Sequence, residues 1–140
     1  REGGFMSDCL FCQIAAGTLK AEVVHETPEA LAFLDKFPAA RGHAVVIPRA
    51  HAPTLLDLED AAIGGLFRAV KEVQRKVSAA LAPVAFNVGW NHGKGAGQHV
   101  FHLHVHVLPR FREGGRGIQM LGEGPGRESL AELAEAIRKA

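Results

Sequence analysis

A chain of 140 residues and 15.0 kDa is the length of one domain, enough to bury roughly two-thirds of its unfolded surface around a single core. Sixteen Lys and Arg against fifteen Asp and Glu leave a formal charge of +1, and no basic block of five or more residues occurs, which argues against charge-driven nucleic-acid binding. Apolar residues make up 47% and no apolar run approaches the roughly 18 residues of a membrane span, so neither nucleic acid nor membrane is the expected partner. The two cysteines, Cys9 and Cys12, stand too close together for a disulfide framework, and the start shows no signal-peptide pattern; the expected address is the cytoplasm. Residues 1–5 precede a Met6-Ser7 start and are read as an extension or remnant outside the functional argument.

Residues 9–17 place apolar side chains at helical spacing and end on a glycine, which predicts a short N-terminal helix. Three stretches rich in β-branched and aromatic residues follow at 22–26, 30–35 and 43–47, punctuated by Pro28 and by the loop from Pro38 to Gly42; they predict three antiparallel strands. Leu55, Leu58, Ala62, Leu66, Ala69, Val70, Val73, Val77 and Leu81 recur at three and four, with Lys71, Glu72, Arg75 and Lys76 opposite, predicting one long helix over 55–81. Stretches 85–90 and 100–108 read as two further strands around a loop containing Gly93, Gly95 and Gly97, with Trp90 read as packing. Residues 111–126 hold six glycines and little periodicity. Residues 129–140 predict a last helix, with a Ser cap and with Leu130, Leu133 and Ile137 on one side. No repeat or linker interrupts the chain, so the expected architecture is α+β: one five-stranded antiparallel sheet with the helices to one side.

One count stands out. Of eight histidines, His92, His99, His102, His104 and His106 fall within fifteen residues. In residues 101–108 they alternate with apolar positions, so a strand would place three imidazoles on one face and Leu103, Val105 and Val107 in the core. At about 3.3–3.4 Å per residue, His102 and His106 stand roughly 13 Å apart. A single ion with bonds of about 2 Å could not bridge them unless the strand bent sharply, which disfavours a three-histidine mononuclear centre. A phosphate-sized substrate could instead meet the middle imidazole as nucleophile while another imidazole donates hydrogen bonds to its oxygens. Three structural histidines with no chemical role are the weaker reading of so regular an alternation beside a glycine-rich loop.

The stretch Gln98-His99-Val100-Phe101-His102-Leu103-His104-Val105-His106-Val107-Leu108-Pro109-Arg110 resembles the signature of the histidine-triad superfamily. The likeness continues through residues 91–97, through Leu31-Ala32-Phe33-Leu34-Asp35, through residues 42–51, and back to Cys9-Leu10-Phe11-Cys12. It implies a histidine-triad domain over residues 6–110, with 111–140 a glycine-rich tail and terminal helix of the same domain. It further implies that His104 attacks the α-phosphorus of a purine nucleotide derivative, forming a nucleotidyl-histidine that water hydrolyses. His106 would contact the phosphate and help the leaving group depart, His102 and His43 would support and orient the site, and no cofactor would be needed for the chemistry. Asp35 matches the position that binds ribose hydroxyls, and Phe11, Ile14, Phe33 and Leu34 match the walls of the base pocket. Asn91, Gly97 and Gln98 match the loop that approaches the phosphates through backbone N–H groups and an amide side chain.

His99 departs from the pattern, since relatives carry Ser or Thr there; its imidazole can still donate a hydrogen bond, or it points to solvent. Family substrates include nucleoside phosphoramidates and dinucleoside polyphosphates, and Arg110, Arg112 and Arg116 hint at polyphosphate contact. Alternatives are a nucleotidyl transferase, a nucleotide-binding regulatory module with little turnover, and a metalloenzyme using the histidines as ligands. Cys9-x-x-Cys12 by itself reads as a reduced pair, a redox motif or half a zinc site. The resemblance to bacterial members with this pair implies a structural zinc held with His51 and His102, which would make His102 structural rather than catalytic. It also implies a homodimer, its sheet continued across two subunits.

Overall fold

The computed structural model describes residues 5–115, 117 and 127–139. The chain runs through α1 (Leu10–Ala16), β1 (Val23–Glu26), β2 (Ala30–Leu34), β3 (Ala44–Pro48), α2 (Asp60–Leu81), β4 (Ala85–Gly89), β5 (Val105–Arg110) and α3 (Leu130–Lys139). The strands form one antiparallel sheet in the order β1-β2-β3-β5-β4. The histidine-bearing β5 therefore lies inside the sheet, between β3 and β4, and β1 and β4 are its edges.

Strand alternation divides the core into two layers. Ala30, Ala32, Ala44, Val46, Val105 and Val107 turn to one face and pack against Leu66, Ala69, Val70, Val73 and Val77 of α2. Leu31, Phe33, Val45 and Ile47 turn to the other and pack against Phe11, Ile14 and Ala15 of α1. The expectation of helices to one side is thus corrected, because the strands are apolar on both faces and each face needs a cover. Cys9 caps α1, its Sγ accepting the Cys12 N–H at 3.4 Å, and Gly17 closes the helix in the left-handed conformation. Arg49 fastens that end: Nη1 donates to the Ala15 carbonyl at 3.1 Å and Nε to the Thr27 carbonyl at 2.7 Å.

Two boundaries differ from the periodicity. The helix expected over 55–81 is one 3₁₀ turn, Leu55–Asp57, followed by α2 from Asp60. Thr54 and Asp57 bond each other reciprocally and close that turn, and Leu58 becomes extended while remaining buried. The strand expected over 100–108 joins the ladder only at Val105 and continues to Arg110. Continuing the β3–β5 register would set Pro48 opposite Leu103, and proline has no N–H to give. The Leu103 N–H bonds the Ala52 carbonyl instead, at 2.7 Å. The alternation survives the loss of pairing: Leu103, Val105 and Val107 are all buried.

The Ser cap of α3 is formed, with the Glu132 N–H donating to Ser129 Oγ at 3.1 Å and the Ser129 N–H to Glu132 Oε1 at 2.8 Å. Arg116, residues 118–126 and the side chains of Leu130, Leu133 and Ile137 lie outside the described residues.

Gly42, directly before His43, has φ +82°, and a Cβ there would meet Leu81 Cδ1 at 2.6 Å. The left-handed backbone selects glycine, whereas the contact is with the tip of the Leu81 side chain, which can shift. Gly42→Ala is expected to destabilise the fold by about 1–3 kcal/mol, read from urea unfolding; a variant as stable as the parent would refute this account of the turn.

Candidate active site and adjoining candidate metal centre

His43, His104 and His106 converge on the α1 side of the sheet. His106 follows the parity of Val45 and lies opposite it across the β3–β5 ladder, and His43 precedes β3 on the same parity. His104 packs edge-on against Phe11 (centroids 5.0 Å) and lies 5.1 Å from the His106 ring.

Hydrogen bonds assign the tautomers. His104 Nδ1 lies 2.7 Å from the His102 carbonyl, which can only accept, so Nδ1 carries the proton and Nε2 keeps its lone pair. His43 Nδ1 accepts the Ala39 N–H at 3.0 Å, so the proton of neutral His43 is on Nε2, 2.9 Å from His106 Nδ1. His106 Nδ1 therefore accepts, and the Nε2 of neutral His106 is an N–H donor. The site thus combines a bare nitrogen on His104 with an N–H on His106. Asp35 Oδ2 stands 3.5 Å from His43 Nε2, while Oδ1 accepts the Phe37 N–H at 2.8 Å.

Burial keeps these rings neutral. It holds His104 and His43 below the usual histidine range, with the Asp35 charge opposing in both cases. His106 is pushed down to about 4, first by burial and then by the neighbouring His104 and His43 rings.

His102 faces a different set of partners. Its Nε2–H donates to the Pro48 carbonyl at 2.7 Å, which leaves Nδ1 as an acceptor 3.4 Å from Cys9 Sγ and 3.6 Å from Cys12 Sγ. Cys12 Sγ also lies 3.4 Å from His51 Nδ1, and all four ligand atoms are within 4.8 Å of one another. A tetrahedral ion with bonds of about 2.3 Å to sulfur and about 2.0–2.1 Å to nitrogen has S···N edges of about 3.6 Å, so the donor set fits a metal. Burial raises the Cys12 thiol above its ordinary value, and two adjacent thiolates here would call for a cation between them. Donors of Asp35, His43 and His106 also lie within 4.8 Å of one another, but the proton of His43 Nε2 already accounts for that proximity.

The remaining predicted residues divide. Phe33 is buried, with its ring 5.4 Å from Phe11, and Ile14 packs against the same cluster. Leu34 takes the opposite strand parity and is 39% exposed, so it does not join that wall. Asn91 and Gly97 adjoin: a Cβ on Gly97 would lie 3.8 Å from Asn91 Nδ2. Gln98 corrects the expectation of an amide aimed at phosphate. It is buried, accepts the Gly93 N–H at 2.7 Å and donates to the Pro53 and Val100 carbonyls at 2.7 and 3.0 Å. The backbone N–H groups of Gly97 and Gln98 are likewise engaged inside the loop, on the Lys94 and Gly93 carbonyls, so these donors brace the loop. His99 is exposed, and Trp90 packs edge-on against Phe67 at 5.7 Å.

Sequence reasoning missed the Ala39 N–H and the Pro48 carbonyl, which set two of the tautomers and which no side-chain pattern reveals. It also missed Asn87, whose signal was a polar residue between Phe86 and Val88 in β4.

Residues 16–113 match the family model of the HIT domain, and the chain belongs to the HIT family. The crystal structure of SMU.412c from Streptococcus mutans superposes with a TM-score of 0.86 at 38% identity, covering 98% of this chain and 87% of that one. The chain is 36% identical to the adenosine 5′-monophosphoramidase hnt1 of Schizosaccharomyces pombe over 92% of its own length and 95% of that protein. It is 33% identical to the adenylylsulfatase HINT3 of Arabidopsis thaliana over 74% of its own length and 53% of that protein.

His106 protonates near 6.5 when unfolded but only at about 4 when folded, so the unfolded chain binds the proton first. The stability contributed by its neutral form is complete above about pH 6.5 and is lost as pH falls toward 4. Urea midpoints are expected to begin falling near pH 6.5, before carboxylates titrate, and less steeply in His106→Asn; equal slopes would contradict the assignment.

Proposed function

We propose that this protein is a nucleotide hydrolase that cleaves at the α-phosphorus of a purine nucleotide derivative, a nucleoside phosphoramidate or a dinucleoside polyphosphate, through a nucleotidyl-histidine on His104. The observation that carries the reading is the pairing of opposite tautomers, a bare His104 Nε2 beside an N–H on His106 Nε2. His104 Nε2 attacks phosphorus, the bond to the leaving oxygen or nitrogen breaks, and the departing atom, held by a hydrogen bond from the His106 Nε2–H, takes its proton from solvent. Water then attacks phosphorus in the His104 adduct, the P–N bond breaks, His104 Nε2 is bare again, and nucleoside monophosphate is released with the surplus proton of the water going to solvent. Neutral imidazoles suit this sequence, since a protonated His104 could not attack.

Phe11, Phe33 and Ile14 form an apolar wall for the base. Asp35 Oδ2, half-exposed beside His43, is suited to accept from ribose hydroxyls. The names of the fission-yeast and Arabidopsis relatives, a monophosphoramidase and an adenylylsulfatase, both describe reactions of adenylyl groups.

Zinc is the ion best matched to Cys9, Cys12, His51 and His102. When bound it would supply a structural tie, holding the start of α1 against the loop after β3 and the approach to β5. No step of the chemistry passes through it. The open edge at β4 is suited to continue the sheet across a homodimer. No helix among the described residues is long and apolar enough to cross a membrane.

Release of AMP from adenosine phosphoramidate and from diadenosine polyphosphates tests the reading. His104→Ala is expected to lose at least about a thousandfold in rate. A chelator is expected to lower the melting temperature of the parent while leaving AMP release in place. Turnover by His104→Ala at the parent rate would eliminate the covalent mechanism.

A further inference from the structure

We propose that Arg110 reads the leaving group: its guanidinium contacts phosphates beyond the α-phosphate, which makes nucleotides carrying a polyphosphate chain the substrate class. This deepens the functional reading above and rests on it.

His106, Leu108 and Arg110 share one parity on β5 and are all half-buried, while Val105, Val107 and Pro109 are buried on the α2 side. Arg110 therefore projects on the same face as His106, four residues or about 13 Å further along the strand, and a phosphate chain leaving His106 along β5 runs toward it. The neighbouring strand aims the side chain. Asn87 on β4 stands opposite Leu108 and accepts Arg110 Nε–H at 2.8 Å, which orients the rest of the guanidinium.

Counter-charge is the second observation. Among the described residues, Arg49, Arg68, Arg75 and Arg138 each have a carboxylate within 4.0 Å; Arg41, Arg110, Arg112 and Arg127 have none, and of these four only Arg110 is half-buried. A half-buried cation held by a neutral amide is in want of an anion. Its charge is already felt in the site, where it opposes protonation of His43. The imidazoles around the reacting phosphorus are neutral, so they cannot offset the added charges of a polyphosphate leaving group. Arg110 can, and an amine leaving group would make no use of it.

Calorimetric titration of the full chain with AMP and with ATP, the latter as its α,β-methylene analogue that cannot be cleaved at the α-phosphorus, tests this without turnover. Arg110→Gln is expected to weaken ATP binding at least tenfold while AMP binding stays within twofold, which also shows that the variant is folded. Arg110→Lys should recover part of the loss, and Asn87→Ala should show a smaller loss with the same preference. Equal weakening of both nucleotides, or no change in either, overturns the proposal while leaving the nucleotide site standing. A parent protein that binds neither nucleotide overturns this inference and the functional reading together.

Discussion

The site depends on a hydrogen bond of 2.7 Å from His104 Nδ1 to the carbonyl of His102. A neutral imidazole has one proton, and a carbonyl that accepts it on one nitrogen bares the other. That carbonyl is available because the chain has not yet entered the ladder at residue 102; pairing begins only at Val105, past Leu103, the position that Pro48 would face. A gap in β-pairing, which costs a little sheet stability, thus leaves a backbone acceptor where a side chain needs one. The His102 side chain stabilises the gap, with one ring nitrogen on Pro48 and the other facing two cysteine sulfurs.

His106 is fixed by the opposite logic. Its Nδ1 is an acceptor because His43 donates, and His43 donates because its other nitrogen receives the Ala39 N–H. The direction of that relay is set by a main-chain donor in the loop between β2 and β3. The two faces of the sheet divide the labour: α2 covers one with aliphatic side chains and anchors the scaffold. The other carries α1, Phe11 and the imidazoles, and β4 and β5 beyond them carry Asn87 and Arg110.

Much of this was legible in the sequence. The alternation of histidine with apolar residues correctly buried Leu103, Val105 and Val107 although the strand began later than expected, because side-chain parity persists where pairing lapses. The spacing argument against a single ion under the three histidines agrees with what the fold does: His102 turns to the cysteines and His106 to His43. The grouping of Cys9 and Cys12 with His51 and His102, implied by resemblance, has its donors side by side. Less was legible where backbone atoms decide. Gln98 reads as a ligand amide in one dimension but closes a loop in three, and Leu34, adjacent to Phe33, takes the opposite parity. The break before α2 was hidden because Leu55 and Leu58 keep helical spacing while the Thr54–Asp57 pair ends the first turn.

The chemistry of the site turns on His104 and His106 holding opposite tautomers at neutral pH. Two-bond nitrogen–proton NMR correlation of the imidazoles, assigned with His104→Ala and His106→Asn, measures this directly. The expected result is a protonated Nδ1 and bare Nε2 on His104, with the reverse on His106. The same tautomer on both rings, or a doubly protonated His104, would contradict it.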